Sequence, residues 1–406
     1  MAMGLAAAAL IATLTACSNY GFFSTLESET SSAKTSSFKR VKINDIVYFN
    51  NRYYARAATV YSQSASTIEA DDPAAWELLA PGLDYYKPTT AEATAKADYT
   101  YSCKAIASDG SRLYLASARE DNTTGAVSYG LYSMDAGGSW KTVSALSKDA
   151  VTGSFYGVQA LYSLNGKVFA AVKTSESSSV NTYKLYLLSE TSATEIAPLG
   201  SLYSLPVAAY MNDEYWFSAL ASSGAAYSTL YHSANADLTG MATVDTSKPA
   251  SVVTVMTPLG TSGYGLFGMT NGSVYTQKLA SLDTTWSTKT AVNSSYPVEA
   301  LVALPYGSAS PSLVLASVHY ANGYYVSKVA GSALGTFYLQ DNDSSSKDLA
   351  TNYGTTLDSL LVGKFVYAND RLFACVSATA TSVTTKFAGL YSNLFSSSTW
   401  SGWIVE

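Results

Sequence analysis

The strongest constraint on what this chain can fold into is an internal repeat. An apolar residue followed by Tyr, and often by Ser, recurs as Val60-Tyr61-Ser62, Leu131-Tyr132-Ser133, Leu185-Tyr186, Leu230-Tyr231, Val274-Tyr275 and Leu390-Tyr391-Ser392. A weaker copy is Tyr325-Val326-Ser327. The six intervals from Tyr61 to Tyr391 average 55 residues. A period of that size marks an array of supersecondary units, each too small to bury its own apolar face.

Each copy is preceded by alternating apolar residues on both sides of a short polar turn. The turns are Asn50-Asn51, Asp109-Gly110, Asn165-Gly166, Asn212-Asp213 and Asn369-Asp370, and longer ones start at Pro258 and Pro305. Asn, Asp and Gly tolerate positive φ, so between alternating residues they read as hairpins. A large apolar residue follows each of six copies (Trp76, Trp140, Ile196, Trp286, Phe337, Trp400) and is expected to open a last strand. Each unit thus reads as strand, turn, strand, loop, strand, turn, strand. Seven units fill residues 42–406, which predicts an all-β, seven-bladed β-propeller of four-stranded antiparallel blades. The competing arrangement is two β-sandwich domains, which an even repeat does not favour. Helical periodicity is nearly absent; Thr90–Asp98 could form a turn or two of helix.

Composition agrees. The chain has 406 residues, only 13% of them charged, with 32 Tyr and a net charge of -6. Tyr, Thr and Val suit a pleated, half-buried surface. The negative balance, without clustered Lys and Arg, argues against a nucleic-acid partner.

The N-terminus has its own logic. Leu5–Leu14 is an apolar run too short to span a bilayer. It fits the core of a signal peptide, although Met1-Ala2-Met3-Gly4 carries no basic side chain. Leu14-Thr15-Ala16-Cys17 resembles the lipobox of bacterial lipoproteins. That resemblance implies cleavage after residue 16 and a lipid-acylated Cys17 as mature N-terminus. Residues 17–41 then form a Ser/Thr-rich tether, and residues 42–406 the propeller. Ser18 after the cysteine resembles the default for outer-membrane sorting, at the periplasmic face or the cell surface.

Ser133-Met134-Asp135-Ala136-Gly137-Gly138-Ser139-Trp140 resembles the Asp-box, or BNR repeat, of sialidases and many non-enzymatic propellers. The resemblance implies a structural role on an outer hairpin for Ser133, Asp135, Gly137 and Trp140. Asp135 can accept backbone N–H bonds across the turn, and a Gly can supply positive φ.

No catalytic constellation is evident. Of five arginines in the body, Arg52, Arg112 and Arg371 sit beside hairpin turns in units one, two and seven, neighbours in a closed ring. They are the candidates for an anion site; solvated turn arginines are the simpler reading. His232 and His319 lack a Gly-x-Ser-x-Gly elbow or nearby Cys, so neither nucleophilic nor zinc chemistry is expected. Glu69, Asp71 and Asp72 form an acidic loop, read as solvated rather than as a calcium site. Cys103 and Cys375 lie in apolar strands of units two and seven and are expected to be buried thiols. The pairs Tyr53-Tyr54, Tyr85-Tyr86 and Tyr324-Tyr325 should place one ring on each face of a strand. No metal or cofactor is expected. The resulting expectation is a monomeric, membrane-anchored binding scaffold for a protein or glycan. The alternatives are a sialidase-like glycoside hydrolase and a periplasmic envelope-assembly scaffold.

Overall fold

The computed structural model describes residues 41–406 except 70–75, 88–97, 149–155, 177–179, 247–249, 283–285, 287, 320–322, 341–359, 379–388, 394, 397–398 and 401–402. The lipobox, nearly all of the tether, the Thr90–Asp98 segment except Asp98, and Asp71-Asp72 lie outside the described residues.

The body is a seven-bladed β-propeller. Seven antiparallel sheets follow one another along the chain, each with its strands in sequential order. Blade 1 runs from Asp45–Phe49 to Glu77–Leu78, blade 2 from Tyr99–Ser108 to Trp140–Thr142, and blade 3 from Val158–Leu164 to Ala193–Glu195. Blade 4 runs from Val207–Met211 to Ala242–Asp245, and blade 5 from Val253–Pro258 to Lys289–Ala291. Blade 6 begins at Val298–Leu304, and its third strand, Tyr324–Ala330, pairs with both Ala333–Leu334 and Tyr338–Gln340. Blade 7 uses Leu360–Ala368, Arg371–Ala378, Gly389–Asn393 and Ile404–Val405. The first strand of every blade touches the first strands of both neighbours, and blade 7 touches blade 1, so the ring is closed. Among the described residues no helix is long and apolar enough to cross a membrane.

The repeat places residues as the sequence implies. All seven copies lie in third strands, and the apolar members Val60, Leu131, Leu185, Leu230, Val274 and Leu390 are fully buried. In the weak copy Val326 faces Leu315, just as Tyr132 faces Leu115, so Val326 takes the tyrosine's place. Because side chains alternate across each sheet, one face packs on the blade before and the other on the blade after. The result is seven apolar clusters, one per interface. The cluster of blades 4 and 5 centres on fully buried Trp216, edge-to-face with Phe267, which in turn meets Trp286 at 5.1 Å. Tyr53 and Tyr54 divide as expected, toward blades 7 and 2 respectively.

Two details differ from the sequence expectation. Trp400 belongs to a side hairpin with Phe395–Ser396; the strand that completes blade 7 is preceded by buried Trp403, whose indole donates to the Tyr324 hydroxyl at 3.2 Å. Spacing alone does not say which of two Trp residues three positions apart precedes the strand that completes the blade. Tyr85 and Tyr86 lie in the connection between blades 1 and 2, not in a strand, and both pack against that same interface. The Tyr86 hydroxyl accepts from the Val60 amide at 2.9 Å.

Candidate functional site

A propeller presents its ligands with loops at either end of its axis, so the turns that join first and second strands define one working face. On blades 1, 4 and 7 these are two-residue turns with both central residues at positive φ: Asn50-Asn51, Asn212-Asp213 and Asn369-Asp370. Asn165-Gly166 on blade 3 has the same geometry. This mirror-image turn matches the twist of the strands, and Asn and Asp reach it cheaply. At the same register position before three of these turns stand Tyr48, Tyr210 and Tyr367, facing Tyr53, Tyr215 and Leu372. The Tyr48 hydroxyl donates to Asn51 at 3.0 Å, and that of Tyr367 to Asp370 at 3.4 Å. Tyr210 makes the matching bond to Asp213; desolvation first, and then that carboxylate, hold its phenol above the usual tyrosine range.

Blades 5 and 6 break this pattern with longer turns after Pro258 and Pro305. The two turns clasp each other. The Thr261 amide donates to the Ser308 carbonyl at 2.9 Å. Gly260, at φ +58°, comes so close that a Cβ there would lie 1.8 Å from the same carbonyl oxygen. Between the clasped turns and blade 4 lies a cavity of about 280 Å³. Its walls include Tyr210, Asn212, Asp213, Thr261, Tyr264 and Tyr306. Its floor is apolar, with Met211, Leu279 and Ala303 all buried. Tyr306 is 49% exposed and stacks on Tyr367 of blade 7, with ring centroids 4.6 Å apart and planes at 15°. Tyrosine rings beside amide and carboxylate groups give this space stacking surfaces together with hydrogen-bond donors and acceptors.

A second, smaller cavity of about 190 Å³ lies between blades 2 and 3, lined by Lys104, Glu120, Tyr129, Tyr156, Gln159 and Lys173, among others. Lys104 and Gln159 belong to a feature that the sequence reading missed. In blades 2, 3, 5, 6 and 7 the first strand carries one extra residue relative to its partner: Lys104, Gln159, Thr254, Glu299 and Gly363. Such bulges increase local twist and re-aim side chains at sheet edges. The inserted residue is polar in four of these blades and Gly in blade 7, and it shows as an insertion only once its partner strand is known.

The residues singled out from sequence fall as follows. Asp135 accepts from the Gly137 amide at 3.0 Å and the Ser139 amide at 3.4 Å, and Gly138 supplies the positive φ. Trp140 pairs with Met134 and packs on the interface of blades 1 and 2. Ser133 is buried and donates to the Glu190 carbonyl of blade 3. This hairpin lies on the outer rim of blade 2. Arg52 reaches Glu77 and Ser62 within blade 1. Arg112 reaches Glu190 at 3.2 Å. Arg371 is fully buried, donates to Ser392 at 2.7 Å and lies 3.8 Å from Glu406. Each guanidinium is thus matched with a carboxylate of its own blade or the adjacent one. His232 stacks on Trp216 at 4.1 Å and bonds Glu214 at 2.9 Å, while His319 bonds Glu299. Cys103 and Cys375 are free and buried in different interfaces; desolvation raises both thiols to about 12. Among the described residues no group of His, Cys, Asp and Glu is arranged to hold a metal.

No protein-family model and no curated protein matches the chain. Several solved structures are similar in overall shape. U3-55K is 13% identical, with 82% of this chain and 88% of that one covered, at a TM-score of 0.41. Hsv2 of Kluyveromyces lactis is 8% identical, with 90% and 98% covered, at 0.44. The Cps50 (Swd1) propeller domain of Myceliophteria thermophila is 10% identical, with 84% and 97% covered, at 0.41.

Proposed function

We propose that this protein is a lipid-anchored, non-enzymatic binding scaffold of the bacterial envelope, whose partner docks on the face bearing the cavity of blades 4, 5 and 6. The observation that carries the reading is the clasp. The only two long turns of that face among the described residues meet each other and enclose a tyrosine-lined space. Where a repeat keeps its turns short, paired departures from it are where binding surfaces arise on a rigid frame. Leu14-Thr15-Ala16-Cys17 supports the anchor, with residues 17–41 as the tether. Two or more acyl chains hold a protein stably, at about 0.8 kcal/mol per buried CH₂. The Ser133–Trp140 hairpin is a structural Asp-box that braces blade 2 against blade 3. The sialidase-type alternative draws no support from Arg52, Arg112 and Arg371, whose charges are already matched.

The reading is tested on intact cells. The wild-type chain should fractionate with the outer membrane, and Cys17→Ala should release it or leave it unprocessed. Protease added to intact cells, with a periplasmic protein as control, then tells whether the body faces outward or the periplasm. A Cys17→Ala chain that remains membrane-bound would remove the anchor from the reading.

A further inference from the structure

We infer that the cavity of blades 4, 5 and 6 binds an uncharged saccharide, with a sugar ring stacked on the open face of Tyr306. This rests on the binding-scaffold reading and names its ligand. Three observations converge on it.

The first is the platform. Tyr306 is backed on one face by Tyr367 in a near-parallel stack and is otherwise half-exposed. A ring held from behind gives up little freedom on binding, and its open face carries the negative end of the aromatic quadrupole. The C–H groups on one face of a pyranose are weakly positive and flat enough to meet it. Tyr264 and Tyr210 supply further aromatic wall.

The second is the polar set. Asn212 offers donor and acceptor together, Asp213 accepts, and the Thr261 hydroxyl does either. Vicinal sugar hydroxyls need that mixture, because each one donates and accepts at once. All three side chains belong to exposed turn residues at the rim, above an apolar floor. Stacking on an aromatic wall and hydrogen bonding at the rim is the division of labour that an amphipathic ring requires.

The third is charge. Asp213 is the single charged residue lining the cavity, and no Lys, Arg or His lines it. A uronate, sialate or phosphate would meet a carboxylate with no cation to offset it, which selects against acidic sugars. The cavity's volume, about 280 Å³, lies at the low end for small-ligand sites, suiting an end group or a short stretch of a longer glycan.

The experiment uses the full acylated chain in detergent micelles. It is titrated by calorimetry and saturation-transfer NMR with uncharged oligosaccharides of glucose, mannose, galactose and N-acetylglucosamine, and with uronate- and sialate-bearing oligosaccharides of matched length. At least one uncharged series should saturate, and acidic sugars should bind more weakly. Tyr306→Ala should weaken binding by about tenfold or more, as for a central aromatic anchor, while Tyr306→Phe keeps affinity within about threefold. The melting temperature of each variant reports that the propeller is intact. Absence of binding by every uncharged sugar, preference for acidic ones, or affinity unchanged in Tyr306→Ala each overturns the proposal. A photo-crosslinking side chain at position 306, used in cells, separates the two levels of the argument. A protein captured there without saccharide binding overturns the saccharide and leaves the docking face. Neither a crosslink nor a sugar overturns both.

Discussion

Two arginines at the same place in the repeat show how burial sets a residue's worth. Arg52 and Arg371 both open a second strand, and both reach a third-strand serine and a carboxylate, Glu77 in the outermost strand of blade 1 and Glu406 just after that of blade 7. Arg52 and Glu77 have side chains 35% and 72% exposed, so water screens the pair, and Arg52→Ala should cost about 0–1 kcal/mol. Arg371 is fully buried and Glu406 nearly so. Arg371→Ala would leave a desolvated carboxylate without its guanidinium and should cost roughly 3–5 kcal/mol. Urea unfolding of the two variants checks the contrast; equal losses would refute it. The cysteines offer a pH-dependent test. Desolvation raises Cys103 and Cys375 to about 12 in the folded chain, against about 8.5 when unfolded. Their neutral burial therefore supports folding fully below pH about 8.5, and that support is lost as pH rises toward 12. At pH 8.5 iodoacetamide should leave both unlabelled in native protein and label both in urea, as peptide mapping reads directly. Labelling of either in the native state would mean that its interface opens.

At the scale of elements, the turns divide what was legible in the sequence from what was not. Asn50-Asn51, Asn165-Gly166, Asn212-Asp213 and Asn369-Asp370 announce hairpins because their chemistry is local: a residue that tolerates positive φ between alternating strands. The repeated apolar-Tyr step was legible for the same reason, since each blade needs it against the same neighbour. The candidate site was not. Pro258 and Pro305 mark longer turns in the sequence, but nothing local says that Gly260 will meet Ser308 some fifty residues later. The bulges at Lys104, Gln159, Thr254, Glu299 and Gly363 were hidden too, because one inserted residue is visible only once its partner strand is known. The clasp can be broken by itself. Gly260→Ala puts a methyl 1.8 Å from the Ser308 carbonyl oxygen at a φ of +58°, so the turns must separate. Positive φ alone costs about 1–2 kcal/mol for a residue with a side chain. The expected outcome is a modest drop in melting temperature with loss of ligand at the Tyr306 site. Retained binding would show that the clasp does not shape the cavity.

The whole molecule closes its ring in an informative way. Among the described residues every blade, including the first and the last, is built from strands in chain order, with a side hairpin set between the last two strands of blade 7, and no strand from one end of the body completes a sheet at the other. Among the described residues blades 7 and 1 meet through side chains, one of which, Tyr53, donates its hydroxyl to the Ala368 carbonyl. Their cluster contains Ile46, Tyr53 and Phe373, with the Tyr53 and Phe373 rings 5.0 Å apart. Lys364 adds a bond of 2.7 Å to each oxygen of Asp45. The interface of blades 3 and 4 is chemically similar, with fully buried Phe169 and Phe217 in contact at 5.1 Å, but there the chain also runs from one blade into the next. Phe373→Ala and Phe217→Ala should each cost roughly 3–5 kcal/mol, since both remove a buried aromatic ring. Their consequences should still differ. With blades 3 and 4 tethered, Phe217→Ala leaves an interface that can part only as far as the connecting segment allows, and the loss should appear mainly in global unfolding. At the junction of blades 7 and 1 no connecting segment among the described residues limits separation, so Phe373→Ala should allow sub-global opening below the unfolding transition. Hydrogen exchange can tell these apart. In Phe373→Ala, amides of Asp45–Phe49 and Leu360–Ala368 should exchange at least about tenfold faster than in Phe217→Ala at matched global stability, while blades 3 to 5 stay protected. Uniform exchange across all blades in both variants would mean that the ring behaves as one cooperative unit, with the seam held as firmly by packing as the other interfaces are by packing and chain together.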